Sequence, residues 1–272
     1  MDVGPLRDVI TVLIGVATGM LSGLFGVGGG VISQPAMRAL GLAPLIVVGT
    51  ALPVIIPGAA SGSIRYAREE LIVWRAVMPT VPFGVVMAVV GALLAEHVPG
   101  HGHLLQLATA GLLALSAWRM VRTPLSIEPD EPLAESDAPE ASTGPPHGRA
   151  TALRYAGIGA TAGLLSGLLG IGGGVVMVPA FSQIAKVPVK SAIATSLVCV
   201  GLFAIPGTIT HASEGHVDWH VATLLIIGAI PGAQIGARLT IKAADMRVRR
   251  TVGLFLGFTA VLYFIEELAS LL

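Results

Sequence analysis

The sequence predicts an all-α polytopic membrane protein of two inverted-topology repeats, each with a short broken or re-entrant helix pair and three long helices. Three observations carry this. Of the 272 residues, 54% are hydrophobic and only 12% charged, whereas a soluble domain has about 25% charged residues. Apolar segments recur in the same order in both halves. Loops that are basic in one half are free of Lys and Arg at the equivalent place in the other.

A spanning helix needs about 20 mostly apolar residues. In the first half, segment a is Val9–Phe25, and its start lacks the basic region and cleavage site of a removed signal,. Segment b, Val31–Leu40, is too short to span. Segments c, d and e are Leu45–Ile64, Ala76–Ala95 and Leu104–Val121. The second half repeats them: a at Tyr155–Leu169, b at Val175–Ala185, c at Ala192–Ile209, d at Val221–Leu239 and e at Thr251–Ile265. Between the halves, Thr123–Arg149 is rich in Pro, Glu, Asp and Ser and cannot bury enough apolar surface to order itself. This divides the chain into an N-terminal repeat (1–122), an acidic linker (123–149) and a C-terminal repeat (150–272).

The duplication holds residue by residue. Leu24 matches Leu168, Gly28-Gly29-Gly30 match Gly172-Gly173-Gly174, and Pro35-Ala36 match Pro179-Ala180. After one inserted residue, Thr50 matches Thr195, Gly62 matches Gly207, Trp74 matches Trp219 and Gly91 matches Gly236. Trp74 and Trp219 open segment d in each half, as interfacial anchors do.

Cytoplasmic loops carry excess Lys and Arg. In half one the c–d loop holds Arg65, Arg68 and Arg75, and the d–e loop, "EHVPGHGH", holds none. In half two the c–d loop, "HASEGHVDWH", holds none, and the d–e loop holds Arg238, Lys242, Arg247, Arg249 and Arg250. Arg119, Arg122, Arg149 and Arg154 flank the linker and place it in the cytoplasm, with both chain ends outside; Arg7 and Arg38 then fall on the outer side. Inverted repeats are the mark of secondary transporters that bind substrate near the bilayer midplane.

The glycine clusters Gly26–Gly30 and Gly170–Gly174 stand between a long and a short apolar segment. Bare backbone at membrane depth must be shielded by protein or water. Each cluster is therefore expected to turn the chain, so that segment b begins there with its amide groups and positive dipole end at the turn, suited to an anion. The candidate substrate-binding residues are Ser22, Gly28, Gly29, Gly30, Gln34 and Thr50, with Ser166, Gly172, Gly173, Gly174, Gln183, Thr195 and Ser196. Ser63 and Thr208 are further hydroxyls; such groups often bond a carbonyl one turn back instead. Pro53, Pro57, Pro206 and Pro231 are expected to kink helices.

No Asp, Glu, Lys or Arg lies in the middle of an apolar segment, which argues against a carboxylate proton relay and against a membrane enzyme. Arg238 reads as a snorkelling anchor. His97, His101 and His103, and separately His211, His216 and His220, read as exposed loop histidines. Cys199 is the only cysteine and reads as a packing residue. No catalytic residue, metal or cofactor is expected. The expected partners are a small anionic substrate and the lipid bilayer, with a homodimer left open; zero net charge gives no basic face for nucleic acid.

The motifs "GLFGVGGGVISQPA" and "GLLGIGGGVVMVPA", with "AIATSL" and "GAQIGARL" behind them, resemble the sulfite exporter TauE/SafE family of bacterial membrane proteins. The resemblance spares only the linker. It implies a cell-membrane permease that exports sulfite, thiosulfate or organosulfonates such as sulfoacetate, and places the family motif on Gly26, Gly28, Gly29, Gly30 and Pro35 and on Gly170, Gly172, Gly173, Gly174 and Pro179. Half one has "GTAL" where half two has "ATSL", so Ala51 stands opposite Ser196. The alternatives are the same architecture with another anion or the uptake direction, and a non-transporting membrane assembly subunit.

Overall fold

A computed structural model describes residues 4–95, 110–111, 114–118 and 149–271. The linker up to residue 148, most of segment e of half one, and His97, His101 and His103 lie outside the described residues. Nine helices can be bounded among them: α1 Pro5–Phe25, α2 Gly30–Ala39, α3 Pro44–Ala67, α4 Trp74–Ala95, α5 Arg149–Leu169, α6 Gly174–Gln183, α7 Val189–Ser213, α8 Trp219–Lys242 and α9 Asp245–Leu271. Proline, which lacks the amide that a first turn cannot use, opens α1 and α3,. Asp218 caps α8, its Oδ1 accepting from the backbone N–H of His220 and Val221.

Six of these helices, α1, α3, α4, α5, α7 and α8, are long and apolar enough to cross a membrane. The first member of each broken pair is longer than the sequence reading gave. Both α1 and α5 have 21 residues, so each pair is a full-length helix followed by a 10-residue one. In the last helix, 27 residues long, the described apolar stretch is Arg250–Leu262. The internal prolines Pro53, Pro57, Pro206 and Pro231 all sit inside helices.

The centre is α3 crossed with α7. A methyl group placed on Gly207 would lie 3.1 Å from Leu52 Cδ1, one on Gly201 3.0 Å from Ala59 Cβ, and one on Gly62 2.7 Å from Leu197 Cδ2. Numbers rise in α3 as they fall in α7, so these equivalent helices run antiparallel. Around them each half packs on the other: α1 lies along α8, and α4 along α5. Lipid gives no hydrophobic drive between helices, so close approach through small residues must supply dispersion contact. In α1, Gly15, Gly19 and Gly23 press on the carbonyls of Leu225, Ala229 and Ala233; in α5, Gly159, Gly163 and Gly167 press on those of Thr80, Gly84 and Ala88. The sequence repeats are thus interlocked rather than packed as separate halves.

The charges sort to the two ends. Lys190 Nζ donates to the Ile241 carbonyl, and the Val73 N–H donates to Thr195 Oγ1, which joins the start of α7, the end of α8 and the basic α3–α4 turn. At the other end the Asp218 N–H donates to Thr50 Oγ1, His220 Nε2 meets Asp8, and Arg7 Nη2 donates to the Leu40 carbonyl.

Candidate functional site: a junction of two glycine turns

Helix α1 stops because Gly26 takes the left-handed conformation, φ +64°, and its N–H closes on the Ser22 carbonyl at 2.8 Å. Helix α5 stops the same way at Gly170, φ +65°, bonded to Ser166. A residue with a Cβ would be strained at both places.

Beyond these caps the two turns lie side by side. Gly28 faces Gly172, Gly30 faces Gly170, and Gly174 faces Gly26, so the stretches run antiparallel in backbone contact. A methyl on Gly28 or Gly172 would approach Val200 Cγ1 to 2.9 or 2.8 Å, and one on Gly172 would meet Ile55 Cδ1 at 3.3 Å. Val200 and Ile55 are near the middle of α7 and α3. If those helices span, the junction lies at mid-depth.

Both short helices begin there. Their N-caps are Gly29 and Gly173, and neither has a side chain that bonds the first-turn amides. Two positive dipole ends and two uncapped sets of amide groups therefore converge in the interior, where no Asp, Glu, Lys or Arg is buried among the described residues,. The hydroxyls at hand are neutral. Ser22 is buried, Ser166 is fully buried, and Ser166 Oγ has no hydrogen-bond partner.

The structure brings together Ser22, Gly28, Gly29, Gly30, Ser166, Gly172, Gly173 and Gly174. Gln34 and Ser196 border this set and brace it reciprocally. Gln34 Nε2 donates to the Leu169 carbonyl at 2.8 Å, and Ser196 Oγ donates to the Gly26 carbonyl at 2.8 Å. Each residue satisfies the turn of the opposite half.

Thr50 and Thr195 lie elsewhere. Each accepts a backbone N–H, at 3.0 Å, from the turn before α8 or α4 of the opposite half. Gln183 is the last residue of α6, about 13 Å along the helix from Gly174 at 1.5 Å per residue. Its Nε2 is buried without a partner, at the wrong end for the junction. Thr208 bonds the Ala204 carbonyl one turn back, and Ser63 Oγ is buried without a partner.

One residue escaped the sequence reading. Thr18 is buried with its Oγ1 unpartnered, and its Cγ2 would lie 2.7 Å from a methyl on Gly29. Its counterpart in half two is Ala162, so a search for matched polar residues passes over it.

The family model for the sulfite exporter TauE/SafE matches residues 11–263, from α1 into α9 and through both glycine turns. The chain belongs to the sulfite exporter TauE/SafE family. Among relatives, a "Probable membrane transporter protein" of Xylella fastidiosa (strain 9a5c) is 27% identical over 97% of either chain. The "Probable membrane transporter protein YunE" of Bacillus subtilis (strain 168) is 28% identical over 86% of this chain and 89% of its own. "Probable membrane transporter protein MamO" of Paramagnetospirillum magneticum is 29% identical over 87% of this chain, which spans 40% of MamO. No solved structure matches. The protein is a multi-pass membrane transporter of this family.

Proposed function

We propose that the protein exports small sulfur-containing anions, of the sulfite, thiosulfate or organosulfonate class, and that the anion binds at the glycine junction. The observation that carries this is the convergence of two short-helix N-termini, without side-chain caps, on a mid-length, charge-free junction that also holds buried hydroxyls. The donors are the first-turn amides of α2 and α6 with Ser22, Ser166 and Thr18. Gln34 and Ser196 act indirectly, by fixing the carbonyls of the turns. A carboxylate here would repel the cargo.

The sorted charges support the orientation. The basic end, with Arg65, Arg68, Arg75, Lys190 and Lys242, faces the cytoplasm, and the end with Asp8, Asp218 and His220 faces outward. The linker is then cytoplasmic, both termini are outside, and the halves are inverted across the bacterial cell membrane. Export needs no coupled ion: an anion leaving a negative interior gains about 2.3 kcal/mol per charge at 100 mV.

The test is flux of sulfite and sulfoacetate from proteoliposomes. Gly29→Leu places a side chain on Thr18, and Thr18→Val removes a hydroxyl while keeping shape. Both are expected to cut flux at least tenfold while the protein stays folded. Unchanged flux in both variants contradicts the site, and no flux of any sulfur anion in the parent contradicts the cargo.

A further inference from the structure

The end of α7, away from the glycine junction, departs from its duplicate in half one. Glu214 closes the helix, and Gly215 follows in the left-handed conformation at φ +74°. The His216 N–H bonds the His211 carbonyl at 2.9 Å, and the Gly215 N–H bonds the Ala212 carbonyl at 3.2 Å. This pair of bonds is the Schellman cap, which brings the side chain two residues past the cap over the one three residues before it; that contact is usually apolar. Half one builds the same cap. Leu71 N–H bonds the Tyr66 carbonyl and Glu70 N–H bonds the Ala67 carbonyl, with Glu70 held at φ +56°. There the facing pair is Tyr66 and Leu71. In half two the same two positions are His211 and His216, and the equivalent of Glu69 is Glu214.

The cap therefore fixes two imidazoles and a carboxylate together. The rings are 5.9 Å apart between centroids, and His216 Nδ1 lies 3.2 Å from Glu214 Oε2. One ligand atom from each of the three residues lies within 4.8 Å of the others, the one such group of three among the described residues. Contrary to the sequence reading, His211 is no exposed loop residue; it is fully buried, while His216 and Glu214 stay partly open to solvent. Ligands of a tetrahedral zinc ion, with bonds of about 2.0–2.1 Å, stand about 3.3 Å apart, so small rotations of the three side chains would close the set.

We propose that His211, Glu214 and His216 form a binding site for a borderline divalent ion of the zinc class, with three protein ligands and an open fourth position. Two imidazoles and one carboxylate are the donor set such ions favour. His216 and Glu214, both partly exposed, leave one side of the group open to solvent. The backbone of His216 packs on Gly49 of α3, so the ion also fastens the α7–α8 turn against the first half. The proposal departs from the expectation of no metal and stands independently of the transported anion.

The experiment uses the full-length protein in detergent, purified without a polyhistidine tag and stripped with a chelator. Zn2+ is titrated against a chromophoric competitor, and Co2+ serves as the spectroscopic probe. One Zn2+ per chain is expected at micromolar affinity or tighter, with visible Co2+ bands of a low-coordinate nitrogen and oxygen site and a rise in Tm with bound zinc. The double variant His211→Tyr, His216→Leu installs the cap of half one. It is expected to fold and to lose that zinc equivalent. Glu214→Gln, on a partly exposed side chain, is expected to weaken binding at least tenfold, so the site remains testable if the double variant fails to fold. His220→Ala, beside Asp8, and a variant lacking His97, His101 and His103 are expected to bind as the parent does. No stoichiometric zinc in the parent, unchanged affinity in the folded double variant or in Glu214→Gln, or loss of zinc in either control variant would overturn the site.

Discussion

Two glycines on one helix face opposite fates on replacement by alanine. In α5, a methyl on Gly163 would run into the Gly84 carbonyl and lie 2.6 Å from Gly84 Cα; a methyl on Gly157 would meet nothing within 4 Å. Carbon atoms pack at about 3.5–4.0 Å, so Gly163→Ala must push α4 and α5 apart by about 1 Å. Overpacking of this kind costs about 1–3 kcal/mol. Gly157→Ala keeps only the gain in helix propensity, up to about 1 kcal/mol. Gly163→Ala has the same propensity gain, so the gap between the variants is the overpacking alone, about 1–3 kcal/mol, or roughly 2–12 °C in Tm for a chain of this size. Cys199 supplies the assay, because it is the only cysteine and fully buried. A fluorogenic maleimide reacts with it as the protein unfolds on heating. Gly163→Ala is expected to melt below the parent and Gly157→Ala at or above it. Equal melting of the two, or the reverse order, would refute the reading of α4 on α5 as carbonyl-to-glycine contact.

Gln34→Leu keeps the volume but leaves the Leu169 carbonyl buried without its donor; a loss of about 1–3 kcal/mol is expected in the same melting assay. Thr50→Val and Thr195→Val remove symmetric acceptors for backbone N–H groups. Each is expected to cost about 1–3 kcal/mol with KM for the anion unchanged, whereas Ser166→Ala is expected to raise KM. Cysteines introduced at Ser136 in the linker and at Leu272 are expected to label from opposite faces of sealed vesicles, because buried Cys199 stays silent. Labelling of both from one face would contradict the proposed inversion.

The repeat was legible because both halves keep the same punctuation: a glycine cluster, a proline at the sixth position of the short helix, and a tryptophan at the start of segment d. The meeting of the clusters was legible as an expectation, since turns related by a pseudo-two-fold have to face each other. The helix ends were not, because a hydropathy pattern stops where polar residues begin. The apolar pattern ends segment c of half two at Ile209, yet α7 continues to Ser213, and its last turn carries His211 inward. Likewise α5 begins at Arg149, six residues before the apolar run. Partners across the halves were hidden as well. Gln34 and Ser196 carry the donors an anion site wants, but spacing cannot say that a carbonyl 135 or 170 residues away takes them first. The cap that joins His211 to His216 depends on a left-handed Gly215, which the sequence offers only as one more glycine in a loop.

The central claim is that the transported anion sits between the two glycine turns. Selenite has the shape and charge of sulfite and carries an anomalous scatterer, so diffraction from crystals soaked with it locates the anion directly. The account expects one strong selenium peak within hydrogen-bond reach of the first-turn amides of α2 and α6, near Gly30 and Gly174. A peak elsewhere in the bundle, in a protein shown to carry selenite across proteoliposomes, would contradict it.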